Sequence, residues 1–215
     1  MKKALFICLL PLVLLSVGCG KQEEAPKTTE LSIWYSLGTD TLKNSKLESA
    51  AEAVGEELGL SVIMESKASR SDLIKTIELA ATIGNNPELI GVLSYDLVDE
   101  NDAERLYFKD NPNWIDDFHV SALDNEMFSF VKENCEPAEY AQLIRGDQIF
   151  GVPVYTFDGF VCGKHDDGTG DLDIPAKFHL NIMLNSYAFD GKEQTEYYKT
   201  TISFVKELTL HYSEL

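Results

Sequence analysis

Along most of this chain apolar residues recur at one of two periods, and the places where the period changes mark its elements. Leu31, Ile33 and Tyr35 alternate with Ser32 and Trp34, and Ser36-Leu37-Gly38-Thr39-Asp40 breaks the run. That is the pattern of a β-strand ending in a polar loop. Leu42, Leu47, Ala51, Val54 and Leu58 fall on one face of a helix that Gly59 ends. Residues 60–64 form a second, β-branched apolar run. Ser71 and Asp72 cap a second helix, which carries Leu73, Ile74, Ile77, Ala80 and Ala81 on one stripe and stops at Gly84-Asn85-Asn86-Pro87. Residues 89–93 read as a third strand, closing at Ser94-Tyr95-Asp96. Strand, helix, strand, helix, strand is what two right-handed crossovers in a parallel sheet produce. With the order 2-1-3, the loops ending the first and third strands, residues 36–40 and 94–96, flank a crevice at the switch point.

Beyond Asp99 the periods weaken. Trp114, Phe118, Phe128 and Phe130 are spread among acidic residues, which predicts short helices and loops without sharp boundaries. Residues 138–144 read as helix, 148–154 as a strand or tight hairpin, 159–163 as a short strand and 165–171 as a loop. Tyr197, Thr201, Phe204, Leu208 and His211 then recur at four-three-four-three spacing, so residues 193–212 form an amphipathic helix.

The N-terminus has a different composition. Met1-Lys2-Lys3 precedes an apolar run, residues 4–17, broken only by Pro11 and Ser16. A helix needs about 20 residues to span a bilayer of about 30 Å, so this run is a secretory signal core and not a span. Leu15-Ser16-Val17-Gly18-Cys19 follows, and the chain turns polar at once. This stretch resembles the bacterial lipobox, with Ser16 where leucine is usual. The resemblance implies that residues 1–18 are a signal peptide and that an acyl chain on Cys19 holds the protein to the extracytoplasmic face of the cell membrane. An ordinary cleaved signal peptide is the alternative. Residues 19–29 are then the acylated cysteine and a polar tether.

Charge narrows the partners. Lys+Arg number 18 against 36 Asp+Glu, a net charge of −18, and 44% of residues are apolar. The apolar content supports a packed core. The acidity argues against nucleic acid, whose phosphates must be neutralised by Lys and Arg, and against purely electrostatic adhesion to an anionic bilayer.

Three stretches, in order, resemble the carbohydrate-binding branch of the extracellular solute-binding proteins of ABC importers. Leu31-Ser32-Ile33-Trp34-Tyr35-Ser36-Leu37-Gly38 resembles the family's first strand. Asp72-Leu73-Ile74-Lys75 through Gly84-Asn85-Asn86-Pro87-Glu88-Leu89-Ile90 resembles its second helix, glycine turn and third strand. Ile149-Phe150-Gly151-Val152-Pro153-Val154 resembles the segment that enters the hinge. The resemblance implies an α/β, periplasmic-binding-protein-like fold: one doubly wound lobe over residues 30–152 and an incomplete second lobe over 153–215. The family's members need about twice this length. It further implies a solute, carbohydrate above all, captured by closure about a hinge, an ABC permease as partner, no cofactor and no catalysis.

Sugar sites set an apolar pyranose face on an aromatic ring while polar side chains bond the hydroxyls. The resemblance places Trp34, Tyr35, Ser36, Gly38 and Asp40 at the end of the first strand, Tyr95 and Asp96 at the end of the third, and Tyr155 and Asp158 past the hinge-like segment. Trp34 and Tyr35 are neighbours on a strand, so at most one faces the crevice. Asp40 and Asp96 equally suit helix N-caps. With Cys8 and Cys19 used at the N-terminus, Cys135 and Cys162 are left either to form a disulfide or to stay free. The four histidines, His119, His165, His179 and His211, stand at no metal or triad spacing. Asp167, Thr169, Asp171 and Asp173 alternate like a calcium loop, but Leu172 replaces the needed glycine and Phe178 the bidentate glutamate. No nucleophile elbow, P-loop or dinucleotide fingerprint is present. Two readings therefore stand beside the first: a surface lipoprotein whose degraded lobe acts in protein interaction, and a secreted hydrolase that lacks a named nucleophile.

Overall fold

The alternation at Leu31, Ile33 and Tyr35 becomes the central strand of a sheet. The computed structural model describes residues 29–37, 41–97, 113–164, 171–189 and 195–213. β1 (Thr29–Ser36), α1 (Thr41–Leu58), β2 (Leu60–Ser66), α2 (Arg70–Ile83) and β3 (Leu89–Leu97) follow the expected order. β1 pairs in parallel with β2 on one side and β3 on the other, so the order is 2-1-3. Right-handed crossovers in that order put α1 and α2 on opposite faces. β1 is accordingly buried on both: Leu31, Ile33 and Tyr35 on the α1 face, Trp34 and Ser36 on the other.

α2 starts two residues earlier than its sequence suggests. Ser69 is the N-cap, accepting from the Asp72 backbone N–H at 3.1 Å and donating to the Asp72 carboxylate at 2.7 Å. Gly84 closes the helix at φ 71°, a left-handed conformation that glycine adopts without cost.

Residues 113–150 form short pieces: α3 (Trp114–Asp117), α4 (Asn125–Asn134), α5 (Pro137–Tyr140) with a 3-10 turn to Leu143, and a two-residue hairpin of β4 (Ile144–Arg145) and β5 (Gln148–Ile149). β6 (Val152–Lys164) and β7 (Asp171–Leu184) then make one long antiparallel hairpin, followed by α6 (Ser186–Phe189) and α7 (Glu196–Ser213). The two short strands expected at 148–154 and 159–163 are mostly one strand, and β7 is an element the sequence reading omitted.

β7 pairs antiparallel with β3, giving a five-stranded sheet of order β2-β1-β3-β7-β6. The boundary expected between residues 152 and 153 therefore falls at the start of a strand of this same sheet. The described residues after 152 supply two of its strands, β6 and β7, and α7 packs on α1 and β6. Both segments contribute to one core, which includes Leu31, Ile33, Leu47, Val54 and Leu89 together with Leu180, Ile182, Phe204 and Leu208. Each such side chain contributes about 1.5–3 kcal/mol by leaving water. Among the described residues no helix is long and apolar enough to cross a membrane. Cys19 and the tether lie outside the described residues.

Candidate functional site

β1 stops at Ser36, paired with Val92, while β3 runs on to Leu97. A cleft of about 430 Å³ occupies this corner, at the carboxyl ends of β1 and β3. Ser36, Leu37 and Leu93 line it from the sheet, Ala68, Ser69 and Arg70 from the start of α2, and Tyr95, Phe160, Val161 and Phe178 from β3 and the β6–β7 hairpin.

Each wall is fixed locally. The Arg70 guanidinium donates to the Leu93 carbonyl at 2.6 Å, tying the start of α2 to the part of β3 beyond β1. The positive end of the α2 dipole is thereby turned toward the cleft. Tyr95 and Phe178 are cross-strand partners with ring centroids 5.7 Å apart, and Phe178 stacks on Phe157 at 5.3 Å with planes 5° apart. Phe178 can lie in this way because Gly159 faces it. A Cβ there would stand 2.8 Å from the ring. The hairpin continues past the last described pair with β3, Leu97 with Ala176, and Phe160–Lys164 pairs there with Asp171–Pro175. Phe160 on this projection is 65% exposed.

Of the nine residues expected to meet ligand, the fold brings two into this cleft, Ser36 and Tyr95. Trp34 does not line it: the side chain is buried, with the Lys67 ammonium 4.3 Å from its ring centroid. Tyr35 is core as well, its hydroxyl donating to Glu48 of α1. Both faces of a central strand are covered by helices, so neither of these neighbours reaches the crevice. Gly38 and Asp40 lie outside the described residues; Asp96 pairs through its backbone with Lys177, and its side chain is outside them too. Tyr155 is displaced to the outer edge of β6, stacked on Tyr212 of α7 at 4.8 Å. Asp158 lines a separate depression with Gly159, Phe160, Pro175 and Ala176.

Of the two outcomes left open for Cys135, the structure has the free thiol. Cys135 is a free thiol whose Sγ lies 3.6 Å from the Pro153 carbonyl oxygen. Cys162 stands nine residues further along β6, about 30 Å at ~3.3 Å per residue, far beyond bridging reach. Arg70, Phe160 and Phe178 are cleft residues that the sequence reading missed. Arg70 was accessible in principle, because in a β-α-β unit the start of the helix shares the sheet's carboxyl edge. Phe160 and Phe178 required the β6–β7 hairpin.

No family model matches the chain, and no curated protein matches it. Solved structures do. A cyclo/maltodextrin-binding protein complexed with maltotetraose shares 13% identity over 70% of this chain and 34% of its own, with a TM-score of 0.45. An ABC transporter solute-binding protein from Thermotoga lettingae, bound with α-D-tagatose, shares 15% over 63% of this chain and 31% of its own, at 0.44. The galacto-N-biose/lacto-N-biose I-binding protein of an ABC transporter from Bifidobacterium longum shares 13% over 64% and 32%, at 0.43. The chain thus spans about a third of the length of these structures. Identities and TM-scores this low leave the question of ligand to the residues of the cleft.

Proposed function

We propose that this chain is a lipid-anchored extracytoplasmic solute-binding protein that captures a carbohydrate or similar small polar solute and presents it to an ABC permease. The observation that supports the reading is the make-up of the cleft: the aromatic rings of Tyr95, Phe160 and Phe178 meet the hydroxyls of Ser36 and Ser69 and the guanidinium of Arg70. Rings serve the apolar face of a sugar, and the polar groups its hydroxyls. The volume, about 430 Å³, suits a small ligand. The anchor and the permease rest on the N-terminal sequence and the family resemblance.

The hairpin gives the cleft its second wall within one sheet, so capture does not need two lobes to close. Calorimetric titration with mono- and oligosaccharides tests the reading. Tyr95→Ala is expected to weaken the sugar that binds by about tenfold or more, roughly 1.4 kcal/mol. Arg70→Met should do the same. A sugar bound equally well by both variants would place the site elsewhere.

One observation favours the reading as a surface lipoprotein engaged in protein interaction: Phe160, a large apolar side chain on the projecting hairpin, is 65% exposed. In that case no sugar binds, and Phe160→Ser abolishes the partner's binding without changing stability.

A further inference from the structure

A second cavity, of about 330 Å³, lies at the outer edge of β6, between the end of α4, α5 and the last turn of α7. Its chemistry is the reverse of the cleft's. Asn134, Tyr155, Thr156, Thr209 and Tyr212 bring amide and hydroxyl oxygens, Glu139 brings a carboxylate, and no lysine or arginine is among its described lining residues. Among the described residues that line the cleft, Arg70 is the charged one.

The carboxylate is held in place. One Glu139 oxygen accepts from Thr156 Oγ1 at 2.7 Å and the other from the Glu136 backbone N–H at 2.9 Å. Thr156 has a single hydroxyl proton and commits it to Glu139, so its 3.0 Å contact with His179 Nδ1 is a donation from the buried ring. Donors thus run from the sheet interior toward Glu139 and keep the negative charge at the cavity wall. The nearby thiol registers it: Cys135 is pushed up to about 12, by burial first and then by Glu139. Tyr155 and Tyr212 line the same cavity, with ring centroids 4.8 Å apart.

A fixed carboxylate, aromatic rings and hydroxyl acceptors, with no competing cation, are the surroundings that hold an organic ammonium. The net charge of −18 raises the local concentration of cations. We propose that this cavity binds a small organic ammonium ion, independently of the cleft.

Calorimetric titration of the full-length chain with choline chloride and with methylammonium chloride, against sodium chloride, tests this. Saturable binding of the ammonium salts alone is expected, weakened about tenfold or more in Glu139→Gln. That variant also alters the cap of α5, so Asn134→Lys is the second test. Asn134 is exposed at the C-terminal end of α4, where a lysine is favoured by the dipole, and the variant should keep the wild-type melting temperature while repelling the ammonium. Heats indistinguishable from those of sodium chloride, or binding that both variants retain, overturn the proposal.

Discussion

Tyr35 is fully buried on β1 with its hydroxyl bonded to Glu48, and its role is set by position more than by its side chain. Burial first, and the Glu48 carboxylate next, push its ionisation well above the usual tyrosine range. Tyr197 and Tyr212 are pushed the same way, by burial and then by Glu88 and Tyr155 respectively. The folded chain therefore keeps three phenolic protons that the unfolded chain releases near pH about 10. Stability is full below that pH and falls as the pH rises through and beyond it, because only the unfolded state is losing these protons. Tyr35→Phe is expected to remove one proton from that slope, at a cost of about 1 kcal/mol at neutral pH, since exposed Glu48 regains water. Urea melts across the alkaline range check this. A variant that loses stability as steeply as the parent would contradict it.

At the scale of elements, the sheet depends on one close approach. Gly91 of β3 sits opposite Tyr35, and a Cβ there would lie 2.8 Å from the tyrosine Cβ, with the backbone beside it. Gly91→Ala is expected to destabilise by about 1–3 kcal/mol, read from the urea midpoint, because neither strand can retreat from a covered sheet. An unchanged midpoint would show that β1 and β3 can separate. The parallel half of the sheet was legible because Leu31, Ile33 and Tyr35, the capped stripe of α2 and the Gly84 stop all give the same periods that the fold uses. β7 was legible too: Leu172, Ile174, Ala176, Phe178, Leu180, Ile182 and Leu184 alternate without a break. Pro175 and the aspartates at its start disguised it. Pro175 lies one residue past the last described pair with β3, and a proline, lacking an N–H, argues against a strand interior. Missing β7 cost the reading the link between β3 and β6, and with it the cleft wall of Phe160, Val161 and Phe178. Ser36 and Tyr95 line one cleft because two crossovers place their strand ends together. Tyr155 and Asp158 lie away from the cleft because β6 continues past the presumed hinge, with only a register shift between Pro153 and Tyr155.

At the scale of the whole molecule, a single sheet carries the corner cleft. The N-terminal pattern predicts that palmitate labels the chain at Cys19 and that Cys19→Ala abolishes the label; full labelling of the variant would remove the anchor from the account. The folded part shares one core across residues 29–213, so it should unfold in one transition. The most direct test of the central claim is a thermal melt of residues 21–215, followed by circular dichroism, alone and with each of a panel of mono- and oligosaccharides. A single transition that one sugar moves upward is predicted, by about 2.7 kcal/mol of added stability at a hundredfold excess over its dissociation constant. The same melt with every sugar in the panel would contradict it.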